Sequence, residues 1–288
     1  MAGAKEIRTK IASVKNTQKI TSAMQMVAAS KMRRAQDKMS QSRPYSEGLL
    51  RIIGHIAASH SEFRHPFMVQ RPVKNVGVVI VSTDRGLCGG LNINLFRKIT
   101  QEVAELAKQN IGVKAVLLGS KAANYFLKLK DVDVIASHSG FGDNPSPEKL
   151  VGAIKVMTDK FLNGEVDQVF VCFNQFKNTM VQIPSLLQLL PLEKTEDEKI
   201  SSHHWDYLYE PDPEAILGVV LDRYLQQMVY QAILENLASE QSARMVAMKA
   251  ATDNAETLIS DLQLVYNKAR QSSITMELND IVAGASAV

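Results

Sequence analysis

The chain has 288 residues, of which 45% are hydrophobic and 22% are charged, and its formal net charge is +3. This composition is ordinary for a soluble folded protein longer than one average domain, and so small a net charge favours no class of partner. Cys88 and Cys172 lie far apart without a CxxC motif, which argues against a disulfide framework or a zinc site and favours a reducing compartment. No apolar run approaches the ~20 residues of a membrane span. Any membrane role is therefore expected to act through partners.

The first predicted element is a long helix over Met1 to Arg43, a stretch with no proline and one glycine. Ten basic side chains stand against two acidic ones, a balance that a transit peptide or a nucleic-acid-binding arm can also show. Because the pattern continues without a cleavage-like break, we favour a structural helix that pairs with the more acidic end of the chain. Its apolar residues recur at helical spacing: Ile7, Ile11, Val14, Ile20, Met24, Val27, Met32, Ala35 and Met39.

Pro44 is predicted to end or kink this helix, because proline pushes the preceding residue out of the helical region. A helical pattern resumes over Tyr45 to Ser59, and Phe63 to Pro72 is predicted to be a linker. Histidines follow at steps of five in this region, a spacing that does not place three metal ligands on one helix face. They are expected to be solvated or packed.

The middle of the chain is predicted to form an open α/β sheet, because strands and helices alternate there. The predicted strands are Val76 to Ser82, Val113 to Leu118, Val132 to Ala136 and Gln168 to Asn174, with Lys177 to Leu190 as an edge strand or hairpin. The predicted helices are Leu91 to Asn110, Lys121 to Lys130 and Pro147 to Leu162.

A glycine-rich turn follows the first of these strands, over Thr83 to Asn92. Such turns can present backbone N–H groups to phosphate. However, Gly86, Gly89 and Gly90 match neither GxGxxG nor GxxxxGK[ST]. A structural or partner-contacting turn is therefore favoured over nucleotide binding, and no catalytic motif such as GxSxG or HExxH is present.

The last quarter of the chain, Glu214 to Ala283, is predicted to be one helix on the order of 100 Å long. It contains no proline and a single glycine. A seam at alternating steps of three and four predicts pairing with another helix. Small and polar residues dominate this seam and bury little apolar surface, so more than one partner helix is expected to stabilise it. The seam comprises Ala238, Gln241, Met245, Met248, Thr252, Ala255, Ile259, Leu262, Tyr266, Ala269, Ser273 and Met276.

Four stretches together resemble one known family. They are IRTKIASVKNTQKITSAMQMVAASKMRRAQ near the start, STDRGLCGGLNINLF at the glycine-rich turn, WDYLYEPDP before the long helix, and the helix itself from ENLASEQSARMVAMKAATDNAE onward. In collinear order they resemble the gamma subunit of the F-type ATP synthase. By its length, without a large central insertion or a transit extension, the chain looks most like the bacterial form.

The resemblance implies an antiparallel left-handed coiled coil of the N- and C-terminal helices, with a central open α/β (Rossmann-like) domain. It divides the chain into an N-terminal shaft helix (1–60), a linker (61–75), a central domain (76–205) and a C-terminal shaft helix (206–288). The implied function is that of a rotor shaft, which turns inside a ring of alpha and beta subunits and couples proton flow to ATP synthesis at the beta sites.

The family's partners are the alpha and beta subunits, the epsilon subunit and the ring of c subunits, on the cytoplasmic face of the bacterial inner membrane. No cofactor, metal or catalytic site of its own is implied. The apolar tail Ile281 to Val288 would turn within an apolar sleeve. Contacts with beta are implied for Lys19, Met24, Lys31, Cys88, Arg244, Arg270, Gln271 and Thr275. Contacts with the c ring are implied for Tyr207 and Glu210.

Two other interpretations stay open on the residues alone. An α/β enzyme using the Gly86 to Gly90 turn would bind a nucleotide through its central domain. A generic coiled-coil scaffold would form a stable two-helix rod without a surrounding sheath.

Overall fold

The computed structural model describes residues 2–59, 65–143, 145–192 and 213–286. These residues form five α-helices, one short 3-10 helix (Pro66–Met68) and five strands. The helices are α1 (Ala2–Ser59), α2 (Leu91–Lys108), α3 (Ser120–Phe126), α4 (Glu148–Leu162) and α5 (Pro213–Ser286). The strands are β1 (Asn75–Val81), β2 (Gly112–Leu118), β3 (Asp133–His138), β4 (Gln168–Phe176) and β5 (Gln182–Leu190).

The chain divides into two compact units. The sheet unit comprises Ser30–Ala243, and the helical unit comprises Met1–Ala29 with Arg244–Val288. The terminal helices pair as an antiparallel coiled coil, and the strands form a mixed α/β core, as expected from the sequence.

The sheet has the strand order β3-β2-β1-β4-β5. The first four strands are mutually parallel, and β5 returns antiparallel to β4 as a hairpin at the edge. This arrangement confirms the open α/β sheet and the edge hairpin predicted from the alternating pattern. The three central strands carry almost continuous buried runs, as strands covered on both faces do.

Alternate side chains of β1 divide the core between the two faces of the sheet. Val76, Val78 and Ile80 pack with α2 and α3 on one face. Val79 and Val81 pack on the other face, in a core that contains residues of α4, α5 and the last turns of α1. The part of α5 that belongs to the sheet unit is thereby built into the domain core.

Helix α1 passes through Pro44, so of the two outcomes predicted for Pro44, an end or a kink, the end does not occur. Proline cannot donate the backbone hydrogen bond of its turn, and this loss normally breaks a helix. Here the same turn gains other bonds, since the Ser42 carbonyl accepts from Ser46 Oγ at 3.3 Å and from Gln227 Nε2 of α5 at 3.2 Å. Pro44 itself is exposed, which leaves the packed face of the helix undisturbed.

The predicted seam of α5 is confirmed from Met248 to Ser273, where every seam residue is buried or half-buried and most residues between them are exposed. From Ala238 to Met245 the residues off the seam are buried or half-buried as well, so burial does not single the seam out there. Met276 is 64% exposed, so the seam ends before it. In the helical unit, the hydroxyl oxygens of Thr21 and Thr252 lie 2.7 Å apart across the two helices. A polar pair therefore occupies a position that a stable zipper would fill with leucine.

The α1 side of the seam does not include all of the apolar residues that recur at helical spacing in the sequence. Ile20 and Val27 are 59% and 54% exposed, whereas Thr21 and Ala28 are 8% and 1% exposed. The seam follows alternating steps of three and four through Thr21 and Ala28, because small residues allow the two backbones to approach closely. The larger apolar side chains beside them face away from the seam.

Candidate functional site

The end of α5 extends beyond its partner helix within the helical unit. Counted residue by residue from the Thr21–Thr252 pair, antiparallel helices of equal rise place Ala2 opposite about Gln271. The seam ends at Ser273, close to that point, and the described residues after it, 274–286, therefore form a single-helix segment, which we call the α5 tip.

The α5 tip presents large apolar side chains to solvent. Its only charged residues are Glu277 and Asp280. Contiguous exposed apolar surface of this kind marks a site that another protein covers. The exposed apolar residues are Ile274, Met276, Leu278, Ile281 and Val282, which are 49%, 64%, 56%, 67% and 65% exposed.

The paired region of the helical unit also carries apolar residues away from the seam. Met26 of α1 is 66% exposed, and Leu264 and Val265 of α5 are 70% and 53% exposed. A two-helix coil without further cover has no reason to place such residues on its outer side. The outer faces of the two paired helices and the α5 tip therefore all expose apolar side chains, and such a surface suits a partner that encloses it.

The residues that the resemblance assigns to beta contact differ in accessibility within the helical unit. Lys19, Arg270, Gln271 and Thr275 are exposed, and Met24 is half-buried beside the seam. Arg244 is only 9% exposed, so a partner can reach only a small part of its side chain. Tyr207 and Glu210, assigned to the c ring, lie outside the described residues.

Lys31 has an acidic partner within its own chain. Its Nζ lies 2.6 Å from Asp143 Oδ2, and the two side chains are 31% and 54% exposed. Gly140, in the same loop, donates its N–H to Asp84 of the glycine-rich turn at 3.0 Å. An acidic loop of a partner would therefore compete with Asp143 for the Lys31 ammonium.

The glycine-rich turn is tied together by its own side chains. Asn92 Nδ2 donates to Thr83 Oγ1 at 2.8 Å and approaches Cys88 Sγ at 3.5 Å. Asp84 accepts from the Ser120 N–H and hydroxyl, at 2.9 and 3.0 Å. Cys88 is 3% exposed. These polar groups hold the turn against α3, which supports the structural interpretation of this motif.

A row of polar residues on α5, missed in the sequence, fixes this helix to the β4–β5 hairpin inside the sheet unit. Asn174 Nδ2 donates to Asn236 Oδ1 at 2.9 Å, and the Ser239 hydroxyl donates to the Asn174 carbonyl at 2.9 Å. The Ser242 hydroxyl donates to the Thr179 carbonyl at 2.6 Å. The available signal was their spacing, since Asn236, Ser239 and Ser242 recur every three residues along one side of the helix.

Glu235 lies beside this row and is partly removed from water. Burial raises the pKa of its carboxyl above the ordinary value of 4.5, although bonds from Gln231 and the Phe176 backbone and the charge of Arg43 act in the opposite direction. Within the described residues its Oε2 has no hydrogen-bond partner. A buried oxygen of this kind favours the protonated acid.

We expect Glu235→Gln to raise the free energy of unfolding at pH 7. A folded-state pKa above the unfolded value means that stability is full below pH 4.5 and falls as pH rises towards the folded pKa. The variant should therefore exceed the wild type at pH 7 and match it at pH 4, in urea unfolding followed by circular dichroism. The exposed Glu47→Gln serves as the control. Equal stability of Glu235→Gln and wild type at both pH values would contradict the expectation.

Comparisons with known proteins find similarity along almost the whole chain. A profile of the ATP synthase family matches residues 3–288. The ATP synthase gamma chains of Actinobacillus pleuropneumoniae serotype 3 (strain JL03) and serotype 5b (strain L20) are each 57% identical to it over 289 residues, covering 100% of both sequences. The chain belongs to the ATP synthase gamma chain family.

Solved structures support the fold of this gamma chain. A chain from the rotor of the Euglena gracilis mitochondrial ATP synthase, in rotational state 1, matches with a TM-score of 0.67 at 18% identity, covering 95% of this chain and 99% of that one. A chain from the central stalk and c ring of the Tetrahymena thermophila mitochondrial ATP synthase matches with a TM-score of 0.59 at 24% identity, covering 81% and 99%.

As a gamma chain, the protein is the central rotor stalk of an ATP synthase and a subunit of a membrane-associated complex. Among the described helices, none is both long and apolar enough to cross a bilayer. In the same part of the chain, no group of three histidine, cysteine or acidic side chains is arranged to hold a metal ion.

Proposed function

We propose that this gamma chain transmits torque between a proton-driven c ring and the catalytic beta subunits, by turning inside a ring of alternating alpha and beta subunits. The observation that carries the proposal is the α5 tip, a single helix with five apolar side chains at least 49% exposed. Such a helix is poorly suited to water on its own. An enclosing sleeve gives it the cover that its own chain does not.

The proposed coupling works through differential contact. An asymmetric shaft meets each beta subunit with a different face, so each beta conformation gains a different contact free energy. The contact residues proposed on the shaft are Lys19, Met24, Arg244 and a polar group near the tip, with Lys31 exchanging between Asp143 and a partner acid. The polar group comprises Arg270, Gln271 and Thr275.

We assign each part of the proposed function to one of the segments expected from the sequence. Residues 1–60 and 206–288 would form the shaft, and 76–205 the body outside the head, joined by the linker 61–75. We place the body near the membrane, on its cytoplasmic face, with the epsilon subunit and the c ring as neighbours and with Tyr207 and Glu210 towards the c ring. Cys88 would lie close to the bottom of a beta subunit. Catalysis would belong to the beta subunits alone.

Met24→Lys tests the coupling role. Lysine is a comparable helix former, and Met24 lies beside the seam and is only half-buried. The helix should therefore survive the substitution, which adds a charge facing the beta subunits. In inverted membrane vesicles, ATP hydrolysis should persist while proton pumping per ATP hydrolysed falls severalfold.

Two variants control this experiment. Met24→Leu keeps the side chain apolar, and Ser13→Lys adds the same charge at another exposed position of α1. Both should pump like the wild type. Unchanged pumping per ATP in Met24→Lys would remove Met24 from the coupling contacts.

A further inference from the structure

A cavity of about 740 Å³ lies at the carboxyl end of β1, between the glycine-rich turn, α2 and α3. Its volume falls within the roughly 300–1,000 Å³ of small-molecule sites, and open α/β sheets bind ligands at this edge. Apart from Cys88, which the proposed function puts close to a beta subunit, none of the residues that line this cavity is among the proposed rotor contacts. All of its lining residues belong to the sheet unit.

Flat and apolar side chains form its walls. The rings of Phe96 and Tyr125 are stacked, with centroids 5.0 Å apart and an interplanar angle of 26°. Leu87 and Ile93 stand at the rim, each 62% exposed. Leu87 has a φ of +64°, a left-handed conformation that is uncommon for a leucine and often marks a functional turn. Such walls suit a planar ring.

The charge of the cavity has one sign. Arg97 and Lys121 line it, and among the described residues no acidic side chain does. Lys121 is half-buried, and its Nζ lies 3.9 Å from where a Cβ on Gly86 would stand. Neither cation takes part in an ion pair among the described residues. The neighbouring Asp84 is engaged by Ser120 and Gly140.

We propose that this cavity binds a small aromatic anion. The ring would lie against Tyr125, which is 40% exposed and is backed by the buried ring of Phe96. The anionic group would pair with Lys121 and Arg97. A half-buried cation without an ionic partner loses hydration, which an incoming anion replaces by a charge-assisted hydrogen bond. The concave shape and the ring pair favour a small molecule over a protein segment. The proposal is independent of the rotor role.

The test uses the full chain with two probes, 8-anilinonaphthalene-1-sulfonate and ADP. Both carry an aromatic ring and an anionic group, and only ADP is a nucleotide. Hydrogen exchange followed by mass spectrometry should show protection in peptides covering 86–104 and 120–126 with at least one probe. Removing both cations, in Lys121→Gln with Arg97→Gln, should weaken that binding about tenfold or more, an effect expected of lost charge-assisted bonds.

Two further variants keep the test decisive. Lys128→Gln, an exposed cation outside the cavity, should bind within about twofold of wild type. Ala104→Trp fills the cavity from an exposed wall position and should abolish protection even if the double variant folds poorly.

The outcomes separate the possible occupants. Protection by ADP would support a nucleotide, and protection by the sulfonate alone would support a non-nucleotide aromatic acid. Protection confined to other peptides, or equal binding by wild type and Ala104→Trp, would overturn the proposal. It would also fall if neither probe bound while the cation variants altered assembly with alpha and beta subunits, since the cavity would then be a protein-docking surface.

Discussion

Gly119→Ala is expected to lower the free energy of unfolding by roughly 2–6 kcal/mol, as the sum of backbone strain and overpacking. Gly119 has a φ of +104°, and a Cβ there would stand 2.5 Å from the Ser82 carbonyl oxygen and 2.6 Å from the Ser82 hydroxyl. The carbonyl is backbone and cannot move aside as a side chain would. The measurement is urea unfolding of the full chain, followed by circular dichroism.

Gly152→Ala is the matched control. Gly152 lies inside α4, its φ is outside the left-handed region, and nothing lies within 4 Å of the added methyl group. This variant should be more stable than the wild type by about 0.5–1 kcal/mol, because glycine weakens a helix interior. If both alanine variants shifted stability equally, the predicted contact with Ser82 would be wrong.

The position of Gly119 explains the size of the expected effect. Its N–H donates to the His138 carbonyl at 2.8 Å, and the Ser82 hydroxyl both donates to the Leu118 carbonyl and accepts from the Ala122 N–H. Three strand ends and the start of α3 meet there. A displaced Ser82 would therefore disturb the carboxyl ends of these strands, where the glycine-rich turn begins.

Leu221→Ala is expected to lower the free energy of unfolding by about 2–5 kcal/mol. Leu221 lies on α5 and is 0% exposed, in the core shared with α4 and the end of α1. Removing its buried methyl groups loses transfer free energy and leaves a cavity, because a packed core collapses only partly. The readout is the midpoint of urea unfolding with its slope unchanged.

Leu264→Ala gives a control of the same residue type on the same helix. Leu264 is 70% exposed, so its truncation should change the stability of the free chain by less than about 0.5 kcal/mol. If a sleeve of partner subunits encloses the shaft, the same variant should lower the thermal stability of the assembled complex. If Leu264→Ala lowered the free energy of unfolding of the free chain as much as Leu221→Ala does, Leu264 would be a core residue of the free chain and not a contact residue for a partner.

The seam of α5 could be predicted because its residues recur periodically in the sequence. Steps of three and four identified the buried stripe of α5 through Thr252, Ala255 and Ile259, although Thr252 and Ala255 are not the residues of a strong zipper. On α1 only the helical spacing of apolar residues was noted, and two of those residues, Ile20 and Val27, are 59% and 54% exposed. Hydrophobicity alone does not identify the packed face of α1, because close helix packing selects for small side chains.

Local signals also misjudged two boundaries. Pro44 lies within α1, where Gln227 from a distant part of the chain supplies an additional bond to the turn. Helix α3 ends at Phe126, earlier than the predicted Lys130, because Leu129 N–H already bonds the Phe126 carbonyl in a tight turn. Both differences arise from bonds that propensity does not describe.

The sequence by itself determined the two long helices, the alternation of strands and helices, and the spacing of the α5 seam. These features are encoded within short windows of the chain, where periodicity and breakers act locally. Only the tertiary structure decided that Thr21 meets Thr252, that Asn236 bonds Asn174, and that Lys31 pairs with Asp143. The physical reason is that these contacts join residues 231, 62 and 112 positions apart, and geometry over such separations depends on how the whole chain packs.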